Sequence, residues 1–123
     1  MSNRRMNLSG TGKEILEQLC ETLEIERPQG IKLALAKGIA KATGRIKVEF
    51  KDSKPKWTIP ENIIRDREFL LFKHLIINEL QTPLNEEEVN QNMLLYIEYG
   101  LKIIKEDIEN LSSMEDYRIK ILN

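Results

Sequence analysis

Six apolar residues, Met93, Ile97, Leu101, Ile104, Ile108 and Leu111, recur at steps of four, four, three, four and three. Residues spaced this way share one line only on an α-helix, which turns every 3.6 residues. The line is a narrow seam of the coiled-coil kind, and a seam must be covered by another helix. The chain is therefore bound to helix-on-helix packing. The expected cover is the helix just before it; a contact between subunits is the alternative. Asn85 is placed to cap the seam helix, with Glu86, Glu87 and Glu88 against the positive end of its dipole. That placement accounts for the acidic run without a magnesium ion. Residues 114–123 have room for a short final helix.

The preceding helix is expected to open at Pro60 and run to about residue 80, before the break at Thr82 and Pro83. Ile63, Ile64, Phe69, Leu70, Phe72, Leu75, Ile76 and Leu80 nearly surround it. That distribution predicts the central, most buried helix. His74 within it reads as a surface or hydrogen-bonded residue rather than a catalytic base. Glu61, Arg65 and Glu68 share an exposed side, where ion pairing is the default.

The first third of the chain has a different rhythm. Residues 3–9, NRRMNLS, read as a short strand, with residues 4–8 alternating loosely. A strand this short is expected to find its partner in a second subunit. The breakers Ser9, Gly10, Thr11 and Gly12 follow, and Thr11 with Glu14 fits a capping box. Ile15, Leu16, Leu19, Cys20 and Leu23 form one apolar stripe, which makes Cys20 a structural thiol. Pro28 suits the first turn of a second helix. Its apolar face is Ile31, Leu35 and Ile39, widened by Leu33, Ala34, Ala36 and Ala40. The alanines permit close approach of another helix, and Gly44 is a plausible stop. Residues 45–51 alternate cleanly, as a half-buried strand or an extended arm. A hinge is expected over 52–56, followed by Trp57.

The fold class is therefore mainly α. A ribbon-helix-helix-like unit (a short strand plus two helices) is followed by two longer helices, with a possible extra strand near 45–51. At 123 residues the chain is expected to be one domain. It divides into a ribbon-helix-helix-like part over 1–44, a basic strand or loop over 45–58 and a helical part over 59–123. No apolar run is long enough for a membrane span, and no signal peptide is recognisable. One cysteine excludes an internal disulfide and fits a reducing, cytoplasmic setting. One histidine and one cysteine make a His- or Cys-based zinc site improbable. No phosphate loop, nucleophile elbow or metal-ligand constellation is present. The chain reads as non-catalytic, with no cofactor and no metal.

Charge is patterned although the total is only −1. Residues 1–27 carry a net −1, residues 28–58 a net +6 and residues 59–123 a net −6. Attraction between the two halves, within a chain or between subunits, is the plain account. The functional account takes Arg4, Arg5, Lys13, Lys32, Lys37, Lys41, Arg45 and Lys47 as DNA-binding residues, engaging phosphates if folding gathers them on one face. Paired N-terminal strands would expose Arg4, Arg5 and Asn7 as a ribbon that enters the major groove. Trp57, beside Lys54 and Lys56, is either a base-stacking residue or an anchor over the helical core.

The pattern as a whole resembles DndE, a small component of the bacterial DNA phosphorothioate (sulfur) modification system. The segments that carry the resemblance are NRRMNLSGTGKEILEQLCETLEIERP, IKLALAKGIA, FLLFKHLIINEL and NMLLYIEYGLKIIKEDIENLSS. They span most of the chain, and the likeness is one of pattern rather than of a single motif. Family members tend to carry a basic cluster where this chain has Cys20, Glu21 and Thr22; its basic residues fall later, in 32–56. The resemblance implies a compact helical homo-oligomer, a tetramer, that binds duplex or nicked DNA through lysines and arginines. It implies other subunits of the sulfur-modification complex as partners, and no activity of its own. Two alternatives remain: a free-standing ribbon-helix-helix transcriptional regulator, and a helical adaptor that binds only protein.

Overall fold

A computed structural model describes residues 6–42, 56–60 and 63–110. It contains strand β1 (Met6–Leu8), helices α1 (Gly10–Leu23) and α2 (Arg27–Lys41), strand β2 (Trp57–Ile59), and helices α3 (Asp66–Leu80) and α4 (Glu86–Asn110). The architecture is mainly helical with a short antiparallel pair of strands, a strand and two helices coming first. The expected strand at 45–51, Gly44 and the final helix at 114–123 fall outside the described residues.

Local chemistry sets the helix starts. Ser9 caps α1, its Oγ accepting from the Gly12 amide at 3.0 Å. Thr11, expected to be the cap, lies inside the helix. The shorter Ser9 side chain stands before the first turn, where the orphan amides point. Helix α2 begins at Arg27 with Pro28 in its first turn, and the Glu26 amide donates to Gln29 Oε1. Asn85 and Glu88 make a reciprocal box before α4: Asn85 Oδ1 accepts from the Glu88 amide at 2.8 Å, and Glu88 Oε1 accepts from the Asn85 amide at 3.0 Å. Helix α3 starts at Asp66, later than Pro60 suggests.

β1 finds its partner inside its own chain. It pairs antiparallel with β2, Met6 against Ile59, Asn7 against Thr58 and Leu8 against Trp57. The Thr58 hydroxyl donates to Asn7 Oδ1 at 2.8 Å on the exposed face. Met6, Leu8 and Ile59 point the other way and are buried. Three residues suffice because that face lies on the helices, which supply the burial a free ribbon would lack. The Ser9 amide also donates to Glu98 Oε1 at 2.9 Å, tying the end of β1 to α4.

The seam of α4 is buried as expected, with Met93, Ile97, Leu101 and Ile104 fully covered. Its principal cover is α2; α1, α3 and β1 make smaller contacts with it. The expectation that α3 would be both cover and centre is corrected. In α3 only Phe72 and Ile76 are buried, whereas Leu70, Leu71 and Leu75 are exposed.

Helix α2 takes the central place because its backbone can reach that of α4. A Cβ built on Gly38 would lie 3.1 Å from the Gly100 nitrogen, and one on Gly100 would lie 3.1 Å from the Gly38 nitrogen. The carbonyl oxygens of Tyr96 and Ala34 would be nearer still. Each glycine thus faces the carbonyl of the residue four before the other. Neither position has room for a methyl group unless the helices separate. Ala36 and Ala40, expected to allow the approach, are exposed; Ala34 is the alanine at the crossing.

Gly38→Ala and Gly100→Ala should each lower unfolding free energy by at least about 2 kcal/mol in urea titrations, through overpacking. Ala36→Ser, on the exposed side, should change it by less than about 0.5 kcal/mol.

Candidate nucleic-acid interface

Four of the eight proposed DNA-binding residues, Lys13, Lys32, Lys37 and Lys41, fall within the described residues; Arg4, Arg5, Arg45 and Lys47 do not. The centrality of α2 decides what its lysines meet. Lys32 reaches sideways to α3, its Nζ 2.8 Å from Glu68 Oε1. Lys37 reaches α4, its Nζ 3.7 Å from Asp107 Oδ2, with both side chains largely buried. On α1, Lys13 Nζ lies 3.8 Å from Glu17 one turn on. Lys41 occupies the last turn of α2, where a cation complements the helix dipole, and is exposed.

Lys13, Lys32 and Lys37 each sit beside a carboxylate. Sequence reasoning counted the cations and missed Glu17, Glu68 and Asp107. The signal was nevertheless there: a +6 segment followed by a −6 segment. Helix α2 contacts both α3 and α4, which brings Lys32 and Lys37 of the first segment to Glu68 and Asp107 of the second.

A second cluster joins α1, α2 and β2. The Arg27 guanidinium donates to Glu17 Oε1 at 3.1 Å and lies over the Trp57 ring, 5.3 Å from its centroid. Trp57 is half-buried, packs against the core and pairs with Leu8. This is the arrangement of an anchor. With Arg27 over the ring, a base could stack on Trp57 only after displacing a favourable cation–π contact.

Among the described residues no group of three or more His, Cys, Asp or Glu side chains could hold a metal ion. No helix among them is long and apolar enough to cross a membrane. His74 is exposed on α3. Burial pushes the Cys20 thiol above its ordinary pKa, with Arg27 opposing and Glu17 adding to the rise. The Tyr96 phenol is also pushed up, by burial and then by Glu79. Neither shift produces a nucleophile, because both favour the protonated form.

No family model matches the chain, and no curated protein or solved structure matches it.

Two measurements follow from this geometry. A double-mutant cycle on Lys37→Met and Asp107→Asn should give a coupling of about 1 kcal/mol. The same cycle on the more exposed Lys32 and Glu68 should give about 0.3 kcal/mol and fade in high salt. Cys20 keeps its proton on folding, so its stability contribution is complete below the unfolded pKa and is lost as pH rises through the folded one. Iodoacetamide should accordingly label native Cys20 more slowly than urea-unfolded Cys20 at pH 8, and native stability should fall above the ordinary thiol pKa.

Proposed function

We propose that this protein is a non-catalytic DNA-binding subunit of a bacterial DNA phosphorothioation system. It binds duplex or nicked DNA without strong sequence preference and acts in the cytoplasm as a homo-oligomer beside the subunits that handle sulfur. The resemblance in sequence pattern to DndE supplies the system. One observation supports the DNA surface. Residues 41–56 carry Lys41, Arg45, Lys47, Lys51, Lys54 and Lys56 against Glu49 and Asp52 alone. The described ends of this stretch, Lys41 and Lys56, are both exposed. In contrast to Lys32 and Lys37, Lys41 stands at the very end of α2, and the other five follow it in the sequence. Phosphate contacts are accordingly assigned to Lys41, Lys56 and the basic residues between them in the sequence, with Lys32 and Lys37 serving cohesion.

A second reading, a helical adaptor that binds protein, is favoured by the exposed Leu70, Leu71 and Leu75 of α3. The regulator reading is weakened by β1, whose pairing with β2 replaces the ribbon that two subunits would have to share.

Titration of intact, nicked and sequence-randomised duplexes at low salt tests the proposal. All three should bind, with affinity falling steeply as salt rises. Lys41→Ala, and separately Lys47→Ala, should each cost about threefold in affinity and reduce the salt slope by about one. Absence of binding to any duplex at low salt sinks the reading, and a strong preference for one sequence replaces it with the regulator.

A further inference from the structure

The C-terminal half of α3 and the bend that leads to α4 line an open groove of about 600 Å³. That volume is in the range of sites for small ligands and short peptides. Gln81 turns the chain there. As the C-cap of α3 it takes a left-handed backbone, with φ 55°, and its side chain folds back to donate to the Asn78 carbonyl. Pro83 and Leu84 of the bend line the groove together with Ile77 of the helix, and these three form its apolar part.

The charged part has one sign. Lys73 and His74 line the groove, and no carboxylate does, although residues 59–123 carry a net −6. The acidic run Glu86 to Glu88 begins beyond Leu84, and Glu88 is held at the Asn85 amide. Lys73 makes no ion pair with a described carboxylate. His74 is exposed, and an imidazole keeps an N–H to donate in either protonation state. The negative end of the α3 dipole is muted here. The Ile77 carbonyl accepts from the Gln81 amide, and the Asn78 carbonyl from the Gln81 side chain.

The same side of α3 carries the site further. Leu70, Lys73, His74 and Ile77 have the spacing of one helix face. Leu70 is 52% exposed and stands about 10 Å along the axis from Ile77. Arg67, also exposed, lies one turn before Leu70. An available cation with an apolar wall on either side suits a ligand that is both anionic and apolar. A nucleic-acid strand needs a row of cations for successive phosphates, and Lys73 is the one lysine or arginine among the described lining residues. We propose that this groove binds an acidic peptide segment of another protein. A carboxylate meets Lys73, and large apolar side chains lie on Ile77 and Leu70. The proposal goes beyond DNA binding and does not rest on it.

Amide chemical shifts of the isotope-labelled full chain at low salt test it. The probe is an acetylated, amidated octapeptide of aspartates and glutamates carrying two leucines. It should shift residues 70–84 with a dissociation constant of about 100 µM, as expected of a small open groove. The same peptide with every acid replaced by its amide should bind about tenfold more weakly, and so should one with serines for leucines. Lys73→Glu should lower affinity for the acidic peptide about tenfold, leave the melting curve unchanged, and favour a peptide with lysines for acids. His74→Ala, at an exposed position, should weaken binding about threefold. Absence of shifts at about 1 mM acidic peptide, equal affinity for the amide peptide, or shifts centred outside 70–84 overturns the proposal. So does stronger binding of a thymidine oligonucleotide at the same residues, which would assign the groove to nucleic acid.

Discussion

The contact of Gly38 with Gly100 governs the arrangement of the described residues. Two helices whose backbones nearly touch must cross at that point, and the rest of each helix is placed by the crossing. The reciprocal pattern, each glycine against the carbonyl four residues before the other, also sets two Cα–H groups against carbonyl oxygens. A glycine inside a helix costs about 1 kcal/mol relative to alanine, and here two helices each carry one at the same place. The close approach offsets that cost through dispersion along the contact, and Ile31, Leu35, Met93, Ile97 and Leu101 of the two helices are fully buried.

From that crossing the electrostatics follow. A helix drawn into the centre of a small domain takes its charged side chains with it, and these must find partners or solvent. Lys37 finds Asp107 and Lys32 finds Glu68. The charge pattern is thus largely a record of packing: the basic helix lies among the acidic ones. Such pairs contribute little each, but they oppose any rotation of α2 that would bring Lys37 to solvent. Beyond Lys41, where the helix ends, Arg45, Lys47, Lys51, Lys54 and Lys56 stand against two acids, Glu49 and Asp52.

The parts of this fold that were legible in the sequence are those carried by periodicity and capping. The α4 seam, the α1 stripe, Pro28 in the first turn of α2 and the Asn85 cap are local patterns, and local sequence determines them. Four features were not legible. α3 looked central because apolar residues surround it, but a count of apolar positions does not say which sides are covered; Leu70, Leu71 and Leu75 belong to the open side. The place at the centre went to α2, whose decisive residue is a glycine, and a glycine in a helical run reads as a weakness rather than a contact. The partner of β1 lay some fifty residues away in a three-residue strand, too short for alternation to mark. The basic residues were visible as a set, whereas their carboxylate neighbours depended on tertiary packing and were missed.

The exposed leucines of α3 and the glycines of α2 and α4 are linked by the same geometry. Had α4 packed on α3 through its full seam, the leucines would have had a place to go. The glycine crossing instead gives the seam to α2 and leaves α3 attached through Phe72 and Ile76, its outer ridge bare. Substituting charged residues at Leu71 and Leu75 would cost the isolated chain little, since both already face water. Leucine there gains the chain only partial burial, with Leu71 still 56% and Leu75 40% exposed.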